Sequence, residues 1–261
     1  MDVDNIHGTA LHEAANKHDL AGMECILNSK QCPINSQDHA GRTPLHCILD
    51  DEEFDDLDEL QYALSLLKNY GADINLKDYN ERTPLHYVFS TYVKWIPDIV
   101  TFCYRTFPDV DPFAKDRDGN IIFHMFVSDL GDNAKERDDL DDILQGREHF
   151  IKEFINGKII ELSAEKIERV LNSKDNSGYS AFQTYIGGDF YSLSTIKMFI
   201  QNGADVNSKS FLGNTALMKS TFLDRLDISE ILLHAGADPN ATNIFEQTAL
   251  FGVKSSKSFC S

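Results

Sequence analysis

One four-residue block recurs along the chain, and this recurrence limits the fold more than any single motif. It reads Thr9-Ala-Leu-His12, Thr43-Pro-Leu-His46, Thr83-Pro-Leu-His86, Ile121-Ile-Phe-His124, Ser180-Ala-Phe-Gln183, Thr215-Ala-Leu-Met218 and Thr248-Ala-Leu-Phe251. Successive blocks start 34, 40, 38, 59, 35 and 33 residues apart. A period of about 33 residues marks a stack of helical repeats. A second block stands upstream of several of these at a steady offset: Gly71-Ala-Asp-Ile-Asn75, Gly203-Ala-Asp-Val-Asn207 and Gly236-Ala-Asp-Pro-Asn240, with weaker versions ending at Asn35 and near Asp111.

Each block has a physical reading. Thr followed by Pro or Ala starts a helix, because the Thr side chain caps free first-turn N–H groups and Pro suits the first helical position. The Leu that follows points into the stack. Downstream, Ile196-Lys-Met-Phe-Ile200 and Ile228-Ser-Glu-Ile-Leu-Leu233 carry apolar residues at helical spacing and predict a second helix per repeat. The Gly of Gly-Ala-Asp then ends that helix in a left-handed conformation, which penalises any residue with a Cβ.

Together these residues resemble the ankyrin repeat, from Asp4 to about Lys254. The resemblance implies an all-α solenoid of helix-turn-helix units joined by hairpin loops. It predicts a single array over residues 1–261, with about seven repeats starting near 4, 38, 78, 116, 175, 210 and 243. The second and third repeats exceed the period by 7 and 5 residues and the fourth by 26, which places an insertion at about 127–165. Within it, Asp129 to Asp142 reads as a mobile loop, and His149–Ile155 and Glu165–Leu171 read as helices. The seventh repeat has room only for its first helix before Ser261.

No motif for catalysis, metal or cofactor emerges, so the expected role is non-enzymatic. His12-Glu-Ala-Ala-Asn16 begins like a zinc helix, yet Asn16 stands where the second His ligand is needed. Asp116-Arg-Asp-Gly119 resembles part of a calcium loop, but Ala114 and Met125 occupy its first and closing ligand places. The resemblance gives His12, His46, His86 and His124 a turn-stabilising, hydrogen-bonding role. Phosphate-cradling glycine loops and nucleophile elbows are missing from the sequence. Cys25 and Cys47, in helical segments with apolar neighbours, read as inert packing.

Charge narrows the partner. With a formal net charge of -18, the chain disfavours nucleic acid and anionic membrane and favours a protein with a basic or neutral surface. The acidic run Asp50 to Glu59 reads first as a solvated loop, and in a functional role as an electrostatic guide for a basic partner. An odd set of five cysteines without a C-x-x-C pair points to a reducing, cytoplasmic compartment, and the N-terminus lacks the basic and apolar regions of a signal peptide. Usage rich in Asn, Lys, Asp and Ile, with irregular repeats, resembles ankyrin effectors that intracellular bacteria deliver into host cells. A recruiting arm of a larger enzyme is the alternative role.

The resemblance also locates a binding face. In ankyrin proteins the hairpin tips and the exposed side of the first helix, on the concave face, carry contacts and have no packing duty. In the first two repeats these positions are mostly polar, whereas in the fifth to seventh they hold Tyr179, Phe211, Leu212, Phe222, Leu223, Ile244 and Phe245, and the third adds Tyr79. Large apolar residues gathered on a nominally exposed face predict a protein contact site, the alternative being that the shortened final repeat folds over them.

Overall fold

The computed structural model describes residues 8–30, 32–50, 56–91, 96–128, 140–159 and 162–256. The chain forms two compact units, residues 1–117 and 118–261. Among the described residues there are fourteen helices and no strand beyond an isolated bridge between Lys174 and Ser180.

In the first unit, α1 (Ala10–Asn16), α3 (Pro44–Leu49) and α5 (Pro84–Thr91) stack in chain order. Behind them lie α2 (Leu20–Ser29), α4 (Leu57–Asn69) and α6 (Ile96–Thr106), each packed on its own first helix, with α4 also against α6. The second unit repeats the plan. Here α7 (Ile122–Val127), α10 (Ala181–Gly187), α12 (Ala216–Phe222) and α14 (Ala249–Ser256) form one layer, and α8 (Leu140–Ile155), α11 (Leu193–Gln201) and α13 (Leu226–His234) form the other. An additional helix, α9 (Ala164–Asn172), packs against α10.

The third residue of each block is the stacking residue. Leu11, Leu45, Leu85, Phe123, Phe182 and Leu217 are buried, whereas Leu250 of the last block is 70% exposed.

The His of the block joins one repeat to the next. Nδ1 of His46 accepts the Thr43 backbone N–H at 2.9 Å, and its Nε2 reaches the Arg82 carbonyl at 3.1 Å. His12 does the same with Thr9 and Arg42. A nitrogen that accepts an N–H carries no proton, so the ring is the neutral tautomer with its hydrogen on Nε2, donated to the carbonyl. In the fifth repeat Gln183 fills the same place: its Oε1 accepts Ser180 N–H at 3.0 Å and its Nε2 donates to the Asn214 carbonyl at 3.1 Å.

Side chains also tie successive hairpins together. Asn35, Asn75, Asn172 and Asn207 each donate to a carbonyl of the following turn, at Gly71, Asp109, Gly203 and Gly236. Each also accepts, through its Oδ1, the N–H of an Asp two residues beyond that carbonyl: Asp73, Asp111, Asp205 and Asp238. Lys77, Lys174 and Lys209 add a second rung to the carbonyls of Lys115, Lys209 and Thr242. Gly71, Gly203 and Gly236 adopt φ of +89°, +90° and +89°, the conformation that the Gly-Ala-Asp block predicts.

The fourth repeat is more regular than its sequence implies. The stretch Leu140–Asp142, expected in a loop, already belongs to α8, which begins well before the predicted His149 because Ile143 and Arg147 add a buried stripe to it. The remainder of that expected loop, 129–139, lies outside the described residues. Aromatic packing seats α8: Phe126 stacks on Phe150 at 3.8 Å and Phe123 on Phe154 at 5.0 Å between ring centres. Buried Arg147 donates to the carbonyls of Phe126 and Ser128 and so closes the C-terminal end of α7. Arg225 performs the same service for α10 through the carbonyls of Ile186 and Gly188, both at 2.6 Å. Cys47 is buried as predicted, but Cys25 is exposed, because α2 buries Met23 and Leu27 and turns the intervening thiol outward.

Candidate functional site

The hairpin positions place large side chains outward for a geometric reason. Four residues before each block, the N–H bonds to a carbonyl of the preceding hairpin: Tyr79 to Ala40 at 3.0 Å, Phe211 to Ser177 at 3.1 Å and Ile244 to Leu212 at 3.0 Å. With its backbone so engaged, the side chain lies over a glycine of the neighbouring turn. A Cβ built on Gly41 would stand 2.7 Å from the Tyr79 ring, and one on Gly178 would stand 2.6 Å from Phe211 N. Tyr79, Phe211 and Ile244 are 65%, 71% and 61% exposed.

In the second unit a cavity of about 430 Å3 gathers part of the predicted set. Tyr179, Phe222, Leu223 and Phe245 line it, together with Met218, Lys219 and Phe251. Phe211, Leu212 and Ile244 do not line it, and Tyr79 belongs to the first unit. Phe222, Phe245 and Phe251 are 69%, 63% and 56% exposed. Tyr179, expected to be free, is half-buried because the Lys219 ammonium sits 4.7 Å from its ring centre.

Lys219 is the residue that sequence reasoning missed. It occupies the space opposite Gly187, where a Cβ would come within 2.2 Å of its Nζ. Burial lowers the Lys219 pKa, which the Asp175 charge opposes and the Arg225 charge reinforces. The polar part of the lining is occupied with itself: Asn243 Nδ2 donates at 3.0 Å to both Asn214 Oδ1 and Gln247 Oε1. Helix α14 packs on α12, with Gly252 against the backbone of Thr221 and Phe222, yet the phenyl groups stay open.

A second cavity in this unit, about 610 Å3, lies beside α8 and includes Glu148, Lys152, Tyr185 and Tyr191. Its central charge is already matched, since Glu148 holds Lys152 at 3.1 Å, accepts from Tyr185 at 3.1 Å and pairs with Thr195. No group of three His, Cys, Asp or Glu that could hold a metal occurs among the described residues. Nor is any described helix long and apolar enough to cross a membrane. Residues 51–55 of the acidic run lie outside the described residues, while Asp56 caps α4 and Asp50 pairs with Arg42 at 3.1 Å.

The sequence profile of the ankyrin-repeat family matches residues 212–244. No curated protein sequence matches the chain. Among solved structures, the ankyrin repeat domain of Bcl-3, a member of the IkappaB family, is similar with a TM-score of 0.62 and 21% identity, covering 97% of this chain and 95% of that one. An ankyrin repeat domain from Acinetobacter baumannii gives a TM-score of 0.59 at 20% identity, covering 87% of this chain and 98% of that one. A chain from the complex of a Bdellovibrio bacteriovorus predatory endopeptidase with an immunity protein gives 0.55 at 21% identity, with 87% and 98% covered. The family profile falls on one complete unit of the period and the described helices pair and stack as that repeat requires, so the chain carries an ankyrin repeat at residues 212–244 and has the ankyrin-repeat fold.

Proposed function

We propose that the chain is a non-enzymatic protein-interaction module. Its docking surface is the hairpin and first-helix face of the second unit, the face that is concave in ankyrin arrays. The observation that carries this reading is the convergence of Tyr179, Phe222, Leu223 and Phe245 on one cavity whose aromatic rim stands open to solvent. Phe211, Leu212 and Ile244 extend the apolar surface along the hairpins, and Tyr79 offers a separate anchor on the first unit. The repeated histidines support a structural role over a catalytic one, because both ring nitrogens of His12 and His46 are committed to the backbone. A partner whose surface is basic overall matches the net charge of -18. The four described cysteines are free thiols, which fits a reducing, cytosolic setting, whether of the producing cell or of a host.

The test is capture of partners by the full chain followed by titration of the captured protein. Phe222→Ala with Phe245→Ala should weaken binding roughly a hundredfold, since burying each ring is worth about 1.5 to 3 kcal/mol. Unchanged affinity, with the fold intact by circular dichroism, would remove this surface from consideration.

A further inference from the structure

The aromatic cavity has a charge signature of its own. In a chain with 42 Asp and Glu residues, none of its described lining residues is acidic, and its one formal charge is the Lys219 ammonium. That ammonium is placed: Gly187 leaves room for it, Tyr179 lies beneath it, and no carboxylate forms an ion pair with it among the described residues. Asp175 acts on the ammonium through its charge without pairing with it, and its Oδ1 accepts the Ser177 and Tyr179 N–H groups at 2.8 Å. Asn243 is satisfied at both ends of its amide, and the carbonyl oxygens of the Asn214 and Gln247 side chains accept from it, so what these amides turn to an incoming group is N–H donors, and Lys219 is the charged donor among them.

We propose that this cavity receives an Asp or Glu side chain from an extended partner segment, its carboxylate on Lys219 and an adjacent bulky apolar residue against Phe222, Phe245 and Phe251. A carboxylate supplies what Asp175 does not give at contact, a direct ion pair for a half-buried ammonium seated on the Tyr179 ring, and charge-assisted hydrogen bonds are the strong ones. A cationic side chain would instead meet Lys219 head-on. The exposed apolar surface continues past the cavity at Phe211 and Ile244, so the segment runs through and contributes an internal side chain. Long-range attraction of a basic partner is compatible with this, because the net field governs approach while the cavity reads one residue at contact. The assignment rests on the docking surface proposed above and specifies its ligand.

The experiment is selection of a phage-displayed library of random short peptides on the full chain, followed by titration of the enriched peptides. Enriched sequences should place Asp or Glu beside Phe, Leu, Ile or Met. Changing that acid to its amide should weaken binding roughly tenfold or more, and Lys219→Met should do the same. Lys219→Arg should retain binding, and Gly187→Ala, which displaces the ammonium without touching its charge, should weaken it. Peptides that need Phe222 and Phe245 but carry no acid, or that ignore Lys219→Met, overturn this assignment and leave the docking surface standing. Peptides indifferent to Phe222→Ala and Phe245→Ala overturn the surface as well, and absence of enrichment overturns the assignment.

Discussion

His46 should make the first unit sensitive to mild acid, and His46→Gln should remove that sensitivity. The neutral ring accepts Thr43 N–H and donates to the Arg82 carbonyl, while burial pushes its pKa down to about 4. An exposed imidazole titrates near 6.5, so unfolding takes up a proton throughout the interval from about 6.5 to about 4. The stabilisation is therefore complete above the unfolded value and is lost as pH falls towards the folded one. At about 1.36 kcal/mol per pKa unit this difference amounts to about 3 kcal/mol between neutrality and pH 4. Glutamine can make the same two bonds without titrating, as Gln183 does in the fifth repeat. At pH 7 the variant should be less stable by about 1 kcal/mol, because it loses the edge contact of the His46 ring with Tyr87 at 5.5 Å. By pH 4 the order should reverse. The assay is urea unfolding followed by circular dichroism at closely spaced pH values, with the wild-type curve subtracted so that other titrating groups cancel. Parallel stability curves for the two proteins between pH 7 and pH 4 would refute the assigned tautomer and its burial.

Three further outcomes follow from the packing. Phe182→Ala should cost about 3 to 5 kcal/mol in urea unfolding, whereas Phe222→Ala, at 69% exposure, should stay within about 0.5 kcal/mol while impairing binding. Arg147→Met should destabilise by about 2 to 4 kcal/mol, read from the same transition, because the carbonyls of Phe126 and Ser128 lose a buried donor. Gly178→Ala should lower the thermal midpoint more than Gly236→Ala: both have positive φ, but only the first drives a Cβ to 2.6 Å of a neighbouring backbone nitrogen, while Gly236 has nothing within 4 Å.

The helical repeat was legible because its signals are local. Thr-Pro-Leu-His, the Gly of each helix end and the apolar spacing each act within one repeat, and the helices start and end where those signals require, although the hydroxyls of Thr9 and Thr43 meet the His ring nitrogen, whereas those of Thr215 and Ser180 accept a first-turn N–H. The exposed Phe and Ile residues were legible too, since fixed offsets from the block report which side chains face outward. Their convergence was not. Phe222 and Phe245 share a cavity with Phe251 and Lys219 because α14 packs on α12, a contact between repeats that no spacing within one repeat encodes. Lys219 escaped notice for the same reason: its position depends on the absence of a side chain at Gly187, in the preceding repeat. The start of α8 was obscured by the acids Asp141 and Asp142, which read as loop but suit the positive end of a helix.

The asparagine rungs have a consequence for how such a chain can change. The block at Ile121 and the next at Ser180 start 59 residues apart, with an additional helix between them, yet Asn172 still meets Gly203 and Asp205 as its counterparts meet theirs. The coupling between neighbours is thus a standard connector whose pins are one asparagine, one lysine (Gln37 at the Asn35 junction) and the paired main-chain groups, and the length of chain behind it is invisible to the next module. A repeat can acquire new helix, and with it a new surface, without renegotiating its neighbour's position. Diversification in this chain is therefore cheap behind the connector and costly at its pins.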